Sequence, residues 1–438
     1  MRAGFLTLGC KVNSYETEAV WELLRDRGYD RGEFTEENDV YVINTCSVTN
    51  TGEAKSRKMI REAARHPGAI VVVMGCFSQL RAEEVAAIEG VSIVVGTHDR
   101  HRIPDYLEDF RNLRRPMNHV APLLAQTPFE DLHIRRFEHH RRAFLKIQDG
   151  CDNFCSYCII PYARGRVRSR KPDEVLREAE GLVANGFREI VLTGIHTGGY
   201  GTDFPNYRFS DLLADLVKLP GLSRLRISSI EISELTEDVL RVIAASPTIV
   251  HHLHVPLQSG SDRILRLMNR KYDTAEFARK VGLLRERIPD LALTTDVIVG
   301  FPGETEADFA EMFAFIRNLG FSELHVFPFS PRAGTPAAKM PDPVPPAVRK
   351  ARVAQLLALS DSLARTYIRS QLGKVLEVMP ETFRDGMLSG HTGNYIHVRF
   401  PGPESLLGVP TPIIITDEAY PLSLAIQADP SLTTEVTQ

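Results

Sequence analysis

The chain has 438 residues, of which 43% are hydrophobic and 25% charged, a balance typical of folded globular domains. Its formal net charge of −4 excludes the strong overall basic field that marks many nucleic-acid-binding proteins. The sequence contains no apolar run near the ~18 residues that a membrane span needs, and residues 1–8 lack a signal-peptide pattern. We therefore expect a cytoplasmic protein without membrane attachment, and the length predicts two or three domains.

Strand and helix patterns alternate through the first hundred residues. Strands are predicted at 5–8, 40–43, 70–74 and 93–95, and helices at about 14–27, 51–65 and 80–89. This alternation predicts a parallel α/β sheet domain over residues 1–115. Residues 116–142 are rich in Arg, Pro and His and lack periodicity, so we expect a linker or a wrapping segment there.

A second alternation follows and predicts six βα units. Its strands are expected at 144–147, 190–193, 224–228, 252–255, 292–299 and 324–327, and its helices near 173–185, 210–218, 236–245, 274–287, 305–318 and 347–371. Six units predict a partial (βα)6 barrel over residues 143–371, short of the eight that close a full barrel. Short strands at 388–395, 413–415 and 423–426 predict a small β-barrel over residues 372–434, with a disordered tail after Asp429.

Three of the six cysteines lie close together on the loop after the first barrel strand, at Cys151, Cys155 and Cys158 (the second triad). Three soft thiolates suit zinc or an iron–sulfur cluster. Structural zinc needs a fourth ligand, which the local sequence does not supply. A [4Fe–4S] cluster on three cysteines would leave one iron open to the amino and carboxylate groups of S-adenosylmethionine (SAM). A zinc site or buried structural cysteines remain the alternatives.

The other three cysteines are Cys10, Cys46 and Cys76 (the first triad), and each follows a predicted strand of the first domain. Ligands of open parallel sheets collect outside the carboxyl ends of the strands. The three thiolates are therefore predicted to meet at one edge and to hold a second cluster. Three unrelated buried cysteines are the alternative.

Weaker signals lie at the ends of later barrel strands. Thr193, Gly194, Glu231 and Gln258 occupy positions where side chains and backbone often face a bound ligand, and we expect them to contact SAM. An ordinary βα turn is the alternative for Thr193 and Gly194. Three histidines at 251, 252 and 254 alternate between the faces of one strand, so they are expected to be packed or at the surface.

The charges are unevenly distributed along the chain. Residues 135–171 contain ten Arg or Lys and three acidic residues, whereas residues 374–438 contain three basic and eight acidic residues. The basic run flanks the second triad, so we expect Arg164, Arg166, Arg168 and Arg170 to bind phosphates. A solvated surface is the alternative.

Several motifs together resemble the radical SAM methylthiotransferases. They are Leu8-Gly-Cys10-Lys-Val-Asn13, Gly75-Cys76, and the stretches 148–165, 255–261, 296–304 and 327–335. The resemblance covers nearly the whole chain and implies a methylthiotransferase domain, a radical SAM core and a C-terminal TRAM barrel. It also implies [4Fe–4S] clusters on both triads and two uses of SAM, one as methyl donor to a sulfur and one as radical source. The implied partners are the tRNA anticodon stem-loop, a reductant such as flavodoxin or ferredoxin, and a sulfur-donor system.

Within that family, Lys11-Val12-Asn13 and residues 330–335 resemble the branch that methylthiolates C2 of N6-threonylcarbamoyladenosine at position 37 of tRNA. Arg332 is the expected partner of the threonyl carboxylate. The alternatives are the same chemistry on N6-isopentenyladenosine or on a ribosomal protein side chain, and a non-catalytic iron–sulfur RNA sensor. The acidic third domain departs from the basic character expected of an RNA-binding barrel.

Overall fold

The computed structural model describes residues 1–124, 127–137 and 141–428. The predicted disordered tail and the last residues of the predicted third domain lie outside this range. Within the described residues, no helix is both long enough and apolar enough to cross a membrane.

The first 118 residues form a six-stranded parallel sheet in the order β2-β1-β3-β4-β5-β6. The strands are β1 Arg2–Thr7, β2 Asp30–Gly32, β3 Val40–Thr45, β4 Ile70–Gly75, β5 Ile93–Val94 and β6 Met117–Asn118. The helices are α1 Lys11–Asp26, α2 Asn50–Ala63, α3 Cys76–Leu80, α4 Ala82–Ala86 and α5 Ile103–Leu113. β3 and β4 are rich in β-branched residues and completely buried, as expected of central strands covered on both faces. The parallel α/β sheet is confirmed.

Six parallel strands then form the partial barrel as two three-stranded sheets, β11-β10-β7 and β12-β13-β14. A parallel bridge connects Leu225 on the first of these sheets to Ile249, which precedes the first strand of the second sheet. The strands are β7 Ala143–Lys146, β10 Glu189–Thr193, β11 Arg224–Ile227, β12 His252–His254, β13 Ala292–Val299 and β14 Glu323–Pro328, with a small ladder of β8 Gln148–Asp149 and β9 Arg168–Ser169. The helices are α6 Ile160–Arg164, α7 Pro172–Ala184, α8 Phe209–Leu216, α9 Glu237–Ala245, α10 Asp262–Leu267, α11 Thr274–Arg287, α12 Glu306–Leu319 and α13 Pro346–Gln371. The six-unit barrel is confirmed.

The C-terminal unit is a closed five-stranded barrel in the order β15-β16-β17-β19-β18. Its strands are β15 Val375–Arg384, β16 Met387–Thr392, β17 His397–Pro401, β18 Thr411–Ile415 and β19 Ser423–Gln427. The small barrel is confirmed, but its longest strand, β15, was not expected from the sequence. Pro380 interrupts the strand pattern there, and the register of β15 shifts between Pro380 and Thr382.

The segment expected as a linker is packed against both neighbouring units. Leu132, Ile134 and Phe137 are buried in the main core. Tyr15 on α1 donates a hydrogen bond to the Leu132 carbonyl at 2.6 Å, and Glu130 forms a buried ion pair with Arg100. The described part of this segment therefore wraps the junction between the first sheet and the barrel.

Candidate active site and cluster-binding residues

The first triad lies at the carboxyl ends of three neighbouring strands. Cys10 precedes α1, Cys46 follows β3, and Cys76 begins α3 directly after β4. Gly9 has a left-handed φ of 110°, and a Cβ atom on it would lie 3.2 Å from the Sγ atom of Cys46. Only glycine fits this turn without strain, and its missing side chain lets the backbone at Gly9 approach the Cys46 thiol closely.

Asn13 and Arg164 support this edge of the sheet. Asn13 Nδ2 donates hydrogen bonds to the carbonyl oxygens of Leu8 at 2.7 Å and Thr45 at 3.1 Å, which ties the ends of β1 and β3 together. Arg164, from the barrel domain, donates from Nη2 to Asn13 Oδ1 at 2.7 Å and from Nε to Cys76 Sγ at 3.3 Å. A fully buried guanidinium therefore contacts the first triad from the side of the barrel.

Behind this guanidinium is a buried group of charges, the Glu16 charge cluster, formed by Glu16, Asp149, Arg100, Lys146 and Arg164. Glu16 on α1 contacts Arg100 at 2.5 Å, Arg164 at 2.5 Å and Lys146 Nζ at 2.8 Å. Burial opposes ionisation of the Glu16 carboxyl, but these three cations hold its pKa well below the usual range. The cluster joins the first domain to β7 and α6 of the barrel.

The second triad lies on the loop between β8 and α6. Gly150 has φ 75°, and a Cβ atom there would lie 1.9 Å from the carbonyl oxygen of Arg166, so only glycine fits this turn. Arg270 donates from Nη1 to Cys155 Sγ at 3.3 Å and also contacts the carboxylate of Glu231. Each triad therefore has one buried arginine that donates to a cysteine sulfur.

Both triads consist of free thiols, the soft ligands that iron–sulfur clusters use. Burial raises the pKa of the Cys76 thiol to about 11 and those of Cys151 and Cys158 to about 12, so a bound metal must supply the charge that ionises them. Two sulfurs on one zinc, each at ~2.3 Å, can be no more than ~4.6 Å apart. In the described part of the chain, neither triad brings its three ligand atoms within 4.8 Å of one another. The cysteines therefore fit a multinuclear cluster better than a single ion.

A cavity of about 560 Å³ lies between the first triad and the barrel. Its walls come from all three domains: Cys10 and Lys11 from the first, strand ends of the barrel, and Tyr395 from the C-terminal unit. The described barrel residues that line it are Thr193, Gly194, Ser228, Ser229, His252, His254, Pro256, Thr294, Asp296 and His325. Burial, together with the guanidiniums of Arg142 and Arg226, lowers the pKa of Lys11 to about 8.

Three of these lining residues form a group that sequence reasoning missed. Asp296 Oδ1 lies 3.2 Å from His254 Nε2 and 3.2 Å from His325 Nδ1. In the strand register, His254 on β12 lies beside Thr294 on β13, and Asp296 on β13 lies beside His325 on β14. All four side chains therefore lie on one face of the sheet. The sequence signal that could have revealed this group is the presence of polar residues at alternating positions of three successive strands. His254 and His252 both line the cavity, but His252 is more deeply buried and stacks on Tyr395 with ring centroids 4.3 Å apart.

The residues expected to bind SAM occupy different places. Thr193 and Gly194 line the cavity. Glu231 contacts Arg270, next to Cys155. Gln258 has a left-handed φ of 65° and bonds through its main chain to β13, with Gln258 N 2.8 Å from the Asp296 carbonyl oxygen. Neither Glu231 nor Gln258 is among the described residues that line this cavity.

Arg332, expected to meet the substrate, lies instead at a contact between domains. Its guanidinium contacts the carboxylate of Glu53 and donates to Asn50 Oδ1 at 2.5 Å and to Ser47 Oγ at 3.2 Å. These partners belong to α2 and to the loop that carries Cys46. Arg332 is buried there, away from the described lining of the cavity.

The expectation that four arginines of the basic run face RNA phosphates is wrong for three of them. Arg164 belongs to the Glu16 charge cluster. Arg168 is buried and donates to the Arg164 carbonyl at 2.8 Å, and Arg170 is buried and pairs with Glu178 at 2.7 Å. Glu16 lies 148 positions before Arg164, and Glu178 lies just beyond the basic run, so a charge count over residues 135–171 includes neither. Arg166 alone of the four is exposed, with 60% of its side chain accessible.

Comparison with known proteins is consistent with this architecture. Residues 145–316 match the model of the radical SAM superfamily, and residues 2–96 match that of the uncharacterized protein family UPF0004. The chain is 50% identical over 424 residues to the threonylcarbamoyladenosine tRNA methylthiotransferase MtaB of Bacillus subtilis, covering 95% of this chain and 94% of the relative. It is 35% identical to the tRNA-2-methylthio-N(6)-dimethylallyladenosine synthase of Acetivibrio thermocellus, covering 92% of this chain and 86% of that protein.

Among solved structures, the radical SAM methyltransferase TsrM of Kitasatospora setae superposes with a TM-score of 0.59 at 17% identity, covering 77% of each chain. That likeness supports the fold alone. The long matches to methylthiotransferases cover the first domain, the barrel and most of the C-terminal unit. Radical SAM methylthiotransferases carry two [4Fe–4S] clusters and use SAM. The protein belongs to the radical SAM methylthiotransferase family.

Proposed function

We propose that this protein adds a methylthio group to C2 of N6-threonylcarbamoyladenosine at position 37 of tRNA. The observation that carries the proposal is one cavity with Cys10 of the first triad on one wall and Thr193 and Gly194 on another. A base in this cavity would lie between a sulfur-bearing site and the SAM-binding end of the barrel. The 50% identity to a curated threonylcarbamoyladenosine enzyme supports this choice of substrate.

The first triad would hold one [4Fe–4S] cluster and the second triad the other. When bound, the cluster of the second triad supplies the electron that cleaves SAM, and the cluster of the first triad supplies the site of sulfur transfer. The chain's own residues shape the surroundings. Arg164 and Arg270 donate hydrogen bonds to Cys76 and Cys155, which stabilises negative charge on these sulfurs. Thr193, Gly194, Glu231 and Gln258 remain the proposed SAM-binding residues.

The proposal includes partners and organisation. The substrate would be the anticodon stem-loop of a cytoplasmic tRNA, and a flavodoxin- or ferredoxin-type reductant and a sulfur donor would serve the reaction. We assign residues 1–115 to the methylthiotransferase domain, 116–142 to the wrapping segment, 143–371 to the radical SAM core and 372–434 to the TRAM barrel. Arg332 stays a candidate for the substrate carboxylate, although its contact with Glu53 favours a structural role.

The experiment offers two tRNAs to one anaerobically reconstituted preparation, one with N6-threonylcarbamoyladenosine and one with N6-isopentenyladenosine at position 37. Nucleosides are then identified by mass spectrometry. We expect the methylthio product on the threonylcarbamoyl substrate. Product on the isopentenyl substrate alone would reject the choice of substrate but not the family. No product on either tRNA, while SAM is cleaved, would favour a protein substrate.

Alanine variants of each triad test the cluster assignment in the same preparation. Two [4Fe–4S] clusters predict about 8 iron per chain, and loss of either triad should leave about 4. The second-triad variant should release no 5′-deoxyadenosine, whereas the first-triad variant should still release some. Full iron content in the first-triad variant would contradict a cluster at that site. No 5′-deoxyadenosine from the unmodified protein would favour a non-catalytic sensor.

A further inference from the structure

We infer that Lys11 selects the substrate, because its ammonium group is positioned to bind the carboxylate of the threonylcarbamoyl group. This inference rests on the proposed function and adds a specificity-determining residue to it. Arg332, the candidate from the sequence, already pairs with Glu53, whereas Lys11 lines the cavity itself.

The first argument is that the Lys11 side chain forms no direct ion pair or hydrogen bond with the described residues. It lines the cavity next to Cys10. The two guanidiniums near it are paired, Arg142 with Glu381 at 2.8 Å and Arg226 with Glu189 at 2.9 Å. A half-buried cation without a partner is costly, and an anionic ligand would remove that cost.

The second argument concerns Asp296, the acidic residue in the described lining of the cavity. Both of its histidine neighbours, His254 and His325, contact its Oδ1 atom at 3.2 Å. The close contacts of the Asp296 carboxylate are therefore with these two imidazoles. Among the described residues Asp296 forms no ion pair with Lys11, so the Lys11 ammonium remains without a direct partner on the wall next to the first triad.

The third argument is the shape of the substrate. C2 and N6 of adenine both lie on its Watson–Crick edge, with N1 between them. A base that brings C2 close to Cys10 therefore also brings its N6 substituent to the same wall of the cavity, which contains Lys11. A threonylcarbamoyl group carries a carboxylate there, whereas an isopentenyl group is apolar and would leave the ammonium unpaired.

The test compares anticodon stem-loop RNAs that carry threonylcarbamoyladenosine or its neutral amide, in which a carboxamide replaces the carboxylate. Binding to the cluster-loaded enzyme is measured by fluorescence anisotropy at one fixed salt concentration, and KM and kcat are measured separately. The unmodified enzyme should prefer the carboxylate about tenfold, the ratio expected for one charge-assisted hydrogen bond. Lys11→Gln should bring the ratio close to one mainly through KM, and Lys11→Arg should keep most of the preference.

Lys58→Gln is the matched control, because it removes one positive charge from an exposed position on α2 of the same domain. It should leave the carboxylate preference unchanged, which separates a local contact from general attraction to RNA. A tenfold preference that persists in Lys11→Gln with full iron content would overturn the inference. Equal binding of both RNAs by the unmodified enzyme would also overturn it, and this comparison needs no variant.

These outcomes are distinct from failure of the proposed function. If the unmodified enzyme makes no methylthio product on threonylcarbamoyl RNA, the function itself is wrong. If it makes that product and Lys11→Gln keeps the preference, only the role of Lys11 is wrong. If Lys11→Gln disturbs the neighbouring Cys10 and the protein loses iron, the role of Lys11 is decided by the Lys11→Arg variant and by the comparison of carboxylate and amide RNAs.

Discussion

Replacing Glu16 by Gln removes the carboxylate at the centre of the Glu16 charge cluster while keeping the shape of the side chain. Glu16 is completely buried and contacts Arg100, Arg164 and Lys146 at distances of 2.5 to 2.8 Å. After the change, Asp149 is the remaining carboxylate of the cluster, and the three cations lose their shared partner. Removing one member of a buried ion pair costs about 3–5 kcal/mol.

That cost converts to a shift in Tm. Unfolding entropy of ~2.1 cal/mol/K per residue gives about 0.9 kcal/mol per degree for this chain if it unfolds in one transition. The Tm of Glu16→Gln should therefore fall by about 3–5 °C. Hydrogen exchange should also accelerate in α1 and β7, because Glu16 on α1 holds Lys146 at the end of β7.

Asp26→Asn is the matched control, because it neutralises another carboxylate on α1. Asp26 is exposed and pairs with Arg135 at 2.6 Å, and such surface pairs contribute about 0–1 kcal/mol. Differential scanning calorimetry of parent, Glu16→Gln and Asp26→Asn measures the three Tm values. If Glu16→Gln melts within a degree of Asp26→Asn, the cluster does not stabilise the junction between domains.

Three further predictions follow from individual contacts. Arg270→Met removes the buried cation next to Cys155, so the reduction potential measured at the second triad should become more negative, and an unchanged midpoint would contradict this. Burial opposes ionisation of Glu381, but the hydrogen bond with His391 and the charge of Arg142 hold its pKa at about 2, below the ~4.3 of a Glu in an unfolded chain. The Glu381 carboxylate therefore stabilises the fold fully above pH ~4.3, and this stabilisation is lost as the pH falls toward 2. The Tm difference between the parent and Glu381→Gln should therefore shrink in acid. A Tm difference that stays constant with pH would refute this prediction. Arg166→Gln should weaken tRNA binding and lower its salt slope by roughly 0.7–0.9, whereas unchanged binding would mean that this exposed arginine contacts no phosphate.

The regular parts of the fold could be predicted from sequence because their signals are local. The run of β-branched residues in Ile70–Gly75 indicates a buried strand, and the alternation of such runs with helices indicates a parallel sheet. Cys46 and Cys76 each follow such a run, so their placement at one sheet edge follows from topology. Strand β15 was not predicted, because Pro380 and charged residues obscure its alternating pattern. One part of this strand pairs with β16 and the other with β18.

The parts of the site that were not predicted depend on pairing between distant residues. Arg164 looks like a surface charge in a basic run, but its partner Glu16 lies 148 positions earlier in the chain. Asp296 and His325 come together only through the register of β13 and β14. Lys11 was noted as part of a motif, yet only the placement of the surrounding residues shows that its side chain has no direct partner in the described part of the chain.

The proposed activity can be measured most directly in cells. A Bacillus subtilis strain that lacks its relative would express this protein or its first-triad alanine variant, and the nucleosides of bulk tRNA would be analysed by mass spectrometry. We expect 2-methylthio-N6-threonylcarbamoyladenosine to return with the unmodified protein and to stay absent with the variant. Unmethylthiolated threonylcarbamoyladenosine in cells that contain the cluster-loaded protein would contradict the proposed function.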